Sequence, residues 1–342
     1  MKINSEKQLK RQEFNLLDSA YMCALFLALQ LIVDFLVSSI KSLGVPSAVV
    51  YILAFISEFA FLIPIIVVAK TRNINFFKAT KLKAKIDVWS VLIAVAISLV
   101  CLFTLSSLTD VFIEFIEKLG YSSDMVGYNL DSFGKYLIFV FLIAICPAFF
   151  EDLLFRGAIC SGLESQGRLK AVLLSSLLFS LMHGSPDQTI HQFILGIILA
   201  YSLIYSGSVV IPMIIHFVNN FIALTSMYVL GVSENNKVLS WGELGIKALI
   251  ALIYTIIGVV VVYFLIKALG KLKENRDKKE LLKVEKKEQD ESEVIEEKTS
   301  LTETMQKANK EKSDKSVATT LLIISIAYLS INWLLTLILG FM

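Results

Sequence analysis

Glu151, Asp152 and Arg156 stand together in FFEDLLFRG (149–157), inside a run that otherwise reads as a membrane-spanning helix. An ionisable side chain near the bilayer centre costs at least about 2.5 kcal/mol on insertion scales, so three in one short stretch mark a site. The 3 histidines fall between positions 183 and 216: His183 in FSLMHGSP, His191 in TIHQF and His216 in IIHFVNNF. Residues four apart on a helix share a face, so Phe179 aligns with His183 on one span, and His216 with Asn220 on another.

Glu, two His and Asn are the side chains needed to hydrolyse a peptide bond. Glu151, with His183 opposite it, can polarise a water and carry its proton to a leaving amine. His216 and Asn220 can donate to the oxyanion that forms when water attacks a carbonyl, a role commonly worth about 3 kcal/mol per donor. Glu151, His183 and His216 are equally a three-ligand set for zinc, with the fourth position left for the water. The sequence leaves both schemes open. Asp152 and Arg156 form an i,i+4 pair of opposite sign, which neutralises both and leaves Arg156 to orient the site or a substrate carboxylate.

These residues need helices to hold them, and the composition supplies helices. Of 342 residues, 56% are hydrophobic. The apolar runs lie at 17–40, 46–69, 87–109, 134–163, 170–186, 189–206, 208–230 and 245–269, with a ninth at 319–341, each near the length that crosses a hydrocarbon core. The expected fold is an all-α polytopic membrane protein: an eight-helix transmembrane bundle (17–269) plus a C-terminal ninth transmembrane helix. Basic residues cluster before residue 12, at 70–85, around Arg168 and beyond Lys267, whereas 110–131 carries Asp110, Glu114, Glu117, Asp124 and Asp131. That alternation places the N-terminus and the lead-in 1–16 in the cytoplasm. The start is polar and the first apolar run is too long for a signal-peptide core, so the lead-in reads as the approach to an anchor. A net charge of +2 argues for no nucleic-acid partner. Cys23, Cys101, Cys146 and Cys160 have no metal-type spacing and read as small buried hydrophobes.

Depth lets the polar residues meet. The turn between the fourth and fifth spans is centred near Gly167, and Glu151 precedes it by about as many residues as separate it from His183, which puts both roughly 20 Å from the cytoplasmic end. The next cytoplasmic turn, at 206–208, leads up to His216 and Asn220. Pro147 has no N–H, so the Ile143 carbonyl loses its helical partner and the span kinks beside the carboxylates. Gly157 lets helices approach closely. His191 reads as a helix-start or interfacial residue, and Asp34 and Glu58 as intramembrane carboxylates of a channel or of packing. The segment 270–318 mixes Lys and Glu almost evenly, as a solvated helix or disordered cytoplasmic linker does, with a protein partner through 271–317 as the other reading.

EDLLFR (151–156), FSLMH (179–183) and HFVNN (216–220) resemble, in order and spacing, the EExxxR, FxxxH and HxxxN motifs of the CPBP intramembrane proteases, which include the type II CAAX prenyl endopeptidases and their bacteriocin-processing relatives. The resemblance covers about residues 134–230. It implies catalysis by Glu151, His183, His216 and Asn220, supported by Asp152, Arg156 and Phe179. Asp152 stands where the family has a second Glu, one methylene longer. The family is described both as metal-dependent and as glutamate-type, so the resemblance leaves the cofactor open, zinc or none.

The function expected is therefore a membrane-embedded endopeptidase acting on hydrophobic or membrane-associated peptides. In a bacterial plasma membrane, peptide maturation or bacteriocin immunity suits it better than a prenylated substrate. The alternative is a non-catalytic scaffold of the same fold, favoured by Asp152. A proton-coupled transporter would predict repeated halves, and none is visible.

Overall fold

The computed structural model describes residues 13–122, 130–231, 239–288 and 301–342. The lead-in up to residue 12, Asp124 and the middle of the linker (289–300) lie outside them. Among the described residues the chain is helical and without strands. Eight of its helices are long and apolar enough to cross a membrane: Leu16–Ser42, Ala48–Thr71, Val88–Lys118, Phe133–Gln166, Pro186–Ser206, Val210–Leu230, Trp241–Leu282 and Ser313–Gly340. The segment expected at 170–186 is a shorter helix, Arg168–Met182, of 15 residues. Gly184, at φ +64°, breaks it, and Pro186 starts the next helix.

We number the helices α1 (Leu16–Ser42), α2 (Ser47–Ser57), α3 (Phe59–Thr71), α4 (Val88–Lys118), α5 (the interrupted helix Phe133–Gln166), α6 (Arg168–Met182), α7 (Pro186–Ser206), α8 (Val210–Leu230), α9 (Trp241–Glu288) and α10 (Leu301–Gly340). The second apolar run is thus two helices, broken at Glu58. Helix α4 continues through Asp110, Glu114 and Glu117, which therefore belong to a helix and not to a loop. Glu114 pairs with Lys247 at 2.7 Å, so the acidic end of α4 is held against the start of α9.

Helix α5 is the axis of the fold. Its central α-helical turns, Cys146–Asp152, lie between two π-helical segments, Val140–Ile145 and Leu153–Cys160. Every residue from Leu153 to Cys160 is buried. Glycine makes this possible: a Cβ on Gly157 would sit 3.1 Å from the Thr80 carbonyl oxygen, and one on Gly162 would run into the backbone at Asn15. Ser19 of α1 donates to the Ile159 carbonyl at 3.0 Å, giving a partner to a backbone oxygen of the π-helical segment. Asn15 caps α1 through a reciprocal box with Asp18, and Asp18 also holds Arg72 at the end of α3 at 3.0 Å.

One end of the bundle is tied by charge. Lys81 meets Glu164 at 2.5 Å, Lys85 pairs with Glu280, and Arg276 pairs with Asp87 while donating to the Ser206 carbonyl at 2.8 Å. The first turns of the charged segment beyond residue 270 therefore continue α9 and are fastened to the bundle. Helix α10 is likewise packed against it, along α1 and α6. Fifteen residues of α6 rise only about 22 Å, less than the roughly 30 Å hydrocarbon thickness, so α6 is too short to cross it alone. Lipid cannot satisfy an irregular turn, and α10 covers the one after α6: Trp333 Nε1 donates to Thr189 Oγ1 at 2.6 Å, and Asn332 lies over Gly184.

Candidate active site

Asp152 is fully buried between two partners. Its Oδ1 lies 3.1 Å from Nη1 of Arg156, and its Oδ2 lies 3.2 Å from Nδ1 of His216. One carboxylate thus joins α5 to α8. The shorter Asp side chain still reaches both groups. The Arg156 contact is an ion pair without hydrogen-bond alignment. The guanidinium carbon rests instead 3.8 Å from the centre of the Phe179 ring, where a cation is attracted by the ring face.

Phe179 organises α6 around this pair. Its ring meets His183 edge-on at 5.0 Å, His216 at 5.9 Å and Phe155 at 5.5 Å. Nδ1 of His183 lies 2.8 Å from the Phe179 carbonyl oxygen. A carbonyl only accepts, so Nδ1 carries the hydrogen and Nε2 is left with a free lone pair. The Asp152 carboxylate fixes His216 in the same sense. Both imidazoles, while neutral, present an Nε2 acceptor.

Glu151 is 8% exposed, and its Oε2 has no hydrogen-bond partner. The charged or chargeable groups in electrostatic range of it are His216, Glu58, Asp152 and Arg156; those near His183 are His216, Arg156 and His191. His216 is the common neighbour of the two residues expected to share a water. Asn220 donates from Nδ2 to the Ile143 carbonyl at 2.9 Å, the oxygen that Pro147 deprives of a helical partner. An amide has two N–H groups, so the second remains for another acceptor. Asp152, Arg156, Phe179, His183 and His216 are thus joined by direct contacts across α5, α6 and α8, with Glu151 in electrostatic range of three of them and Asn220 attached to α5 at Ile143.

The zinc scheme fares differently. Among the described residues no three His, Cys, Asp or Glu side chains are grouped as metal ligands are. The Nδ1 contacts of His183 and His216 with Phe179 O and Asp152 leave each Nε2 open, but Glu151, His183 and His216 are not gathered as a ligand set in this geometry. No step below passes through a metal.

Two residues set aside in the sequence lie at the site. His191 Nε2 is 3.5 Å from Asn219 Nδ2, beside Asn220, and its Nδ1 is 3.4 Å from Thr109. Glu58 approaches Glu151 across the α3–α5 contact. Neither has a motif; that both are polar residues in apolar helices was the available signal.

The backbone of this site is one continuous segment of chain. Residues 133–222 match the family described as Rce1-like type II CAAX prenyl endopeptidase. The matched stretch contains all three motifs, in agreement with the resemblance read from them, and it supports an intramembrane protease at the level of the family. The first four helices, α9 and α10 lie outside the CAAX-protease match. No curated protein and no solved structure matches the chain.

Proposed function

We propose that the protein is an endopeptidase that cleaves hydrophobic peptides within the membrane by a side-chain-activated water. The observation that carries this reading is the Arg156–Asp152–His216 chain set beside a Glu151 carboxyl oxygen with no partner of its own. A buried carboxylate left unsatisfied is costly unless it has something to bind, and water or substrate is what a hydrolase would bring to it.

In this mechanism Glu151 takes a proton from water, and the hydroxide attacks the peptide carbonyl. The oxyanion is met by the second N–H of Asn220, and His216, held through Nδ1 by Asp152, is the second group proposed for it. The C–N bond breaks as Glu151 passes its proton to the amine, leaving a carboxylic acid and a free amine. His183, its tautomer fixed by Phe179, accepts a hydrogen bond from the water with Nε2.

The substrate reaches the site through a groove of about 690 Å³, lined by Leu62 and Ile66 of α3, Phe77, and Phe149 and Leu153 of α5, with Lys70 at its mouth. Its walls suit an extended apolar peptide. The basic end of the bundle is assigned to the cytoplasm of a bacterial cell, and the natural task to peptide maturation or self-protection against such peptides. Purified protein in liposomes, given a panel of quenched hydrophobic peptides, tests the proposal: cleavage by the wild type, lost in Glu151→Gln and His183→Ala, supports it. Cleavage that survives a chelator is expected when side chains alone activate the water. A wild type that cleaves no peptide, in cells whose phenotype Glu151→Gln still rescues, would return the protein to the scaffold reading.

A further inference from the structure

Glu58 has no structural task that explains it. It stands between α2 and α3 with a helical backbone, and its side chain makes no capping hydrogen bond. Its Oε2 is shielded from solvent and has no partner. A carboxylate at this depth is costly, and such groups by default mark function.

Its surroundings say what it faces. Glu58 lies 13 residues above Thr71, or about 20 Å along α3, close to the level of Glu151, which stands 15 residues or about 22 Å above Gln166. The residues that follow them and precede them in sequence touch: the rings of Phe59 and Phe150 are 5.5 Å apart. The Glu58 charge acts on Glu151 and on Cys146. Below Glu58 on the same face of the helix, one and two turns down, come Leu62 and Ile66, which line the groove. Glu58 thus stands one turn beyond Leu62, the last lining residue on α3 in its direction, and about 18 Å along the helix from Lys70, a span of about five residues of extended peptide.

The charges do not balance. Arg156 already faces Asp152, while Glu58 and Glu151 each keep a carboxyl oxygen with no hydrogen-bond partner and have no ion-pair partner among the described residues. The deficit is of positive charge, and the groove leading to it is apolar. We infer that Glu58 is a specificity residue: it receives a positive charge, from lysine, arginine or a terminal ammonium, carried by an otherwise apolar peptide lying in the groove. This rests on the peptidase reading above and names the substrate feature that reading lacks.

The test uses pairs of hydrophobic peptides of equal length that differ by one Lys→Gln exchange, scanned along the sequence. Binding is measured on the full chain in liposomes in a Glu151→Gln background, so that nothing is turned over, and kcat/KM is measured with Glu151 intact. The Lys peptide is expected to bind on the order of tenfold more tightly than its Gln twin at one position of the scan. That ratio falls to about one in Glu58→Gln and survives in part in Glu58→Asp, which also controls for folding. Equal Kd values at every position, or a ratio that Glu58→Gln leaves unchanged, would overturn the inference. Charge-selective binding without cleavage by the Glu151-intact protein would instead sink the peptidase reading while sustaining the role of Glu58.

Discussion

The side-chain amide of Asn220 takes the place of a backbone N–H: it donates at 2.9 Å to the Ile143 carbonyl, four residues before Pro147. Proline removes the donor from one helix, and a polar side chain on another returns it. The proline in α5 and the position of α8 are therefore one feature. Asn220→Ala should destabilise the protein by about 1–3 kcal/mol, the usual cost of an orphaned buried acceptor. Pro147→Ala gives α5 its own donor, so the double variant should be less destabilised than the two single effects predict. Thermal melting in detergent across the four-protein cycle reads the coupling, and strict additivity would refute it.

On the peptidase reading Glu151 serves chemistry and not packing. Glu151→Gln should lower peptide cleavage by about 10²–10⁴-fold, while the melting temperature is not reduced, because Oε2 has no hydrogen bond to lose. Loss of activity together with a large fall in melting temperature would count against that division.

Asp152 should behave in the opposite way. Asp152→Ala leaves a fully buried guanidinium without its counter-charge, which typically costs about 3–5 kcal/mol. Asp152→Ala combined with Arg156→Met removes the stranded charge and should recover much of that stability, but not activity, since His216 has still lost its Nδ1 partner. Melting and cleavage measured on the same preparations separate the two effects.

At the tied end of the bundle, burial pushes the Asp87 carboxyl up, but hydrogen bonds from Ser90 and Arg276 outweigh it and hold the group below its ordinary value of 3.8. A depressed folded-state value contributes stability that is present above that ordinary value and is lost as the pH falls through the lower one. Acidification below pH 4 should therefore loosen the start of α4 from α9. Hydrogen exchange around Ser90 and Arg276 should rise at that pH, and Asp87→Asn should show the higher exchange already at neutral pH.

Much of the site was legible from spacing alone. Glu151, Asp152 and Arg156 are conspicuous because charge is rare in apolar helices, and the i,i+4 pairs Phe179/His183 and His216/Asn220 define faces whatever surrounds them. The turn at Gly167 and the close approach at Gly157 follow from local chemistry in the same way. The break at Glu58, the short α6 and the long extensions of α4 and α9 were not legible, because hydropathy marks where a chain is apolar and not where its hydrogen-bond ladder changes. The partner of the Ile143 carbonyl lay 77 residues away in sequence, and only the folded chain shows which side chain supplies it.

The two π-helical segments flanking Cys146–Asp152 carry a last consequence. A π turn holds one residue more than an α turn, so each segment acts as a phase shift that rotates everything beyond it about the helix axis. Deleting a single residue from the α-helical turns before 153–160, such as Ala148, would turn the following stretch by about 100°, swinging Gly162 away from Asn15 and the Ile159 carbonyl away from Ser19. The candidate site therefore depends on the number of residues in α5 as well as on their identity, and a shift of one in that count would take it apart with every candidate side chain still present.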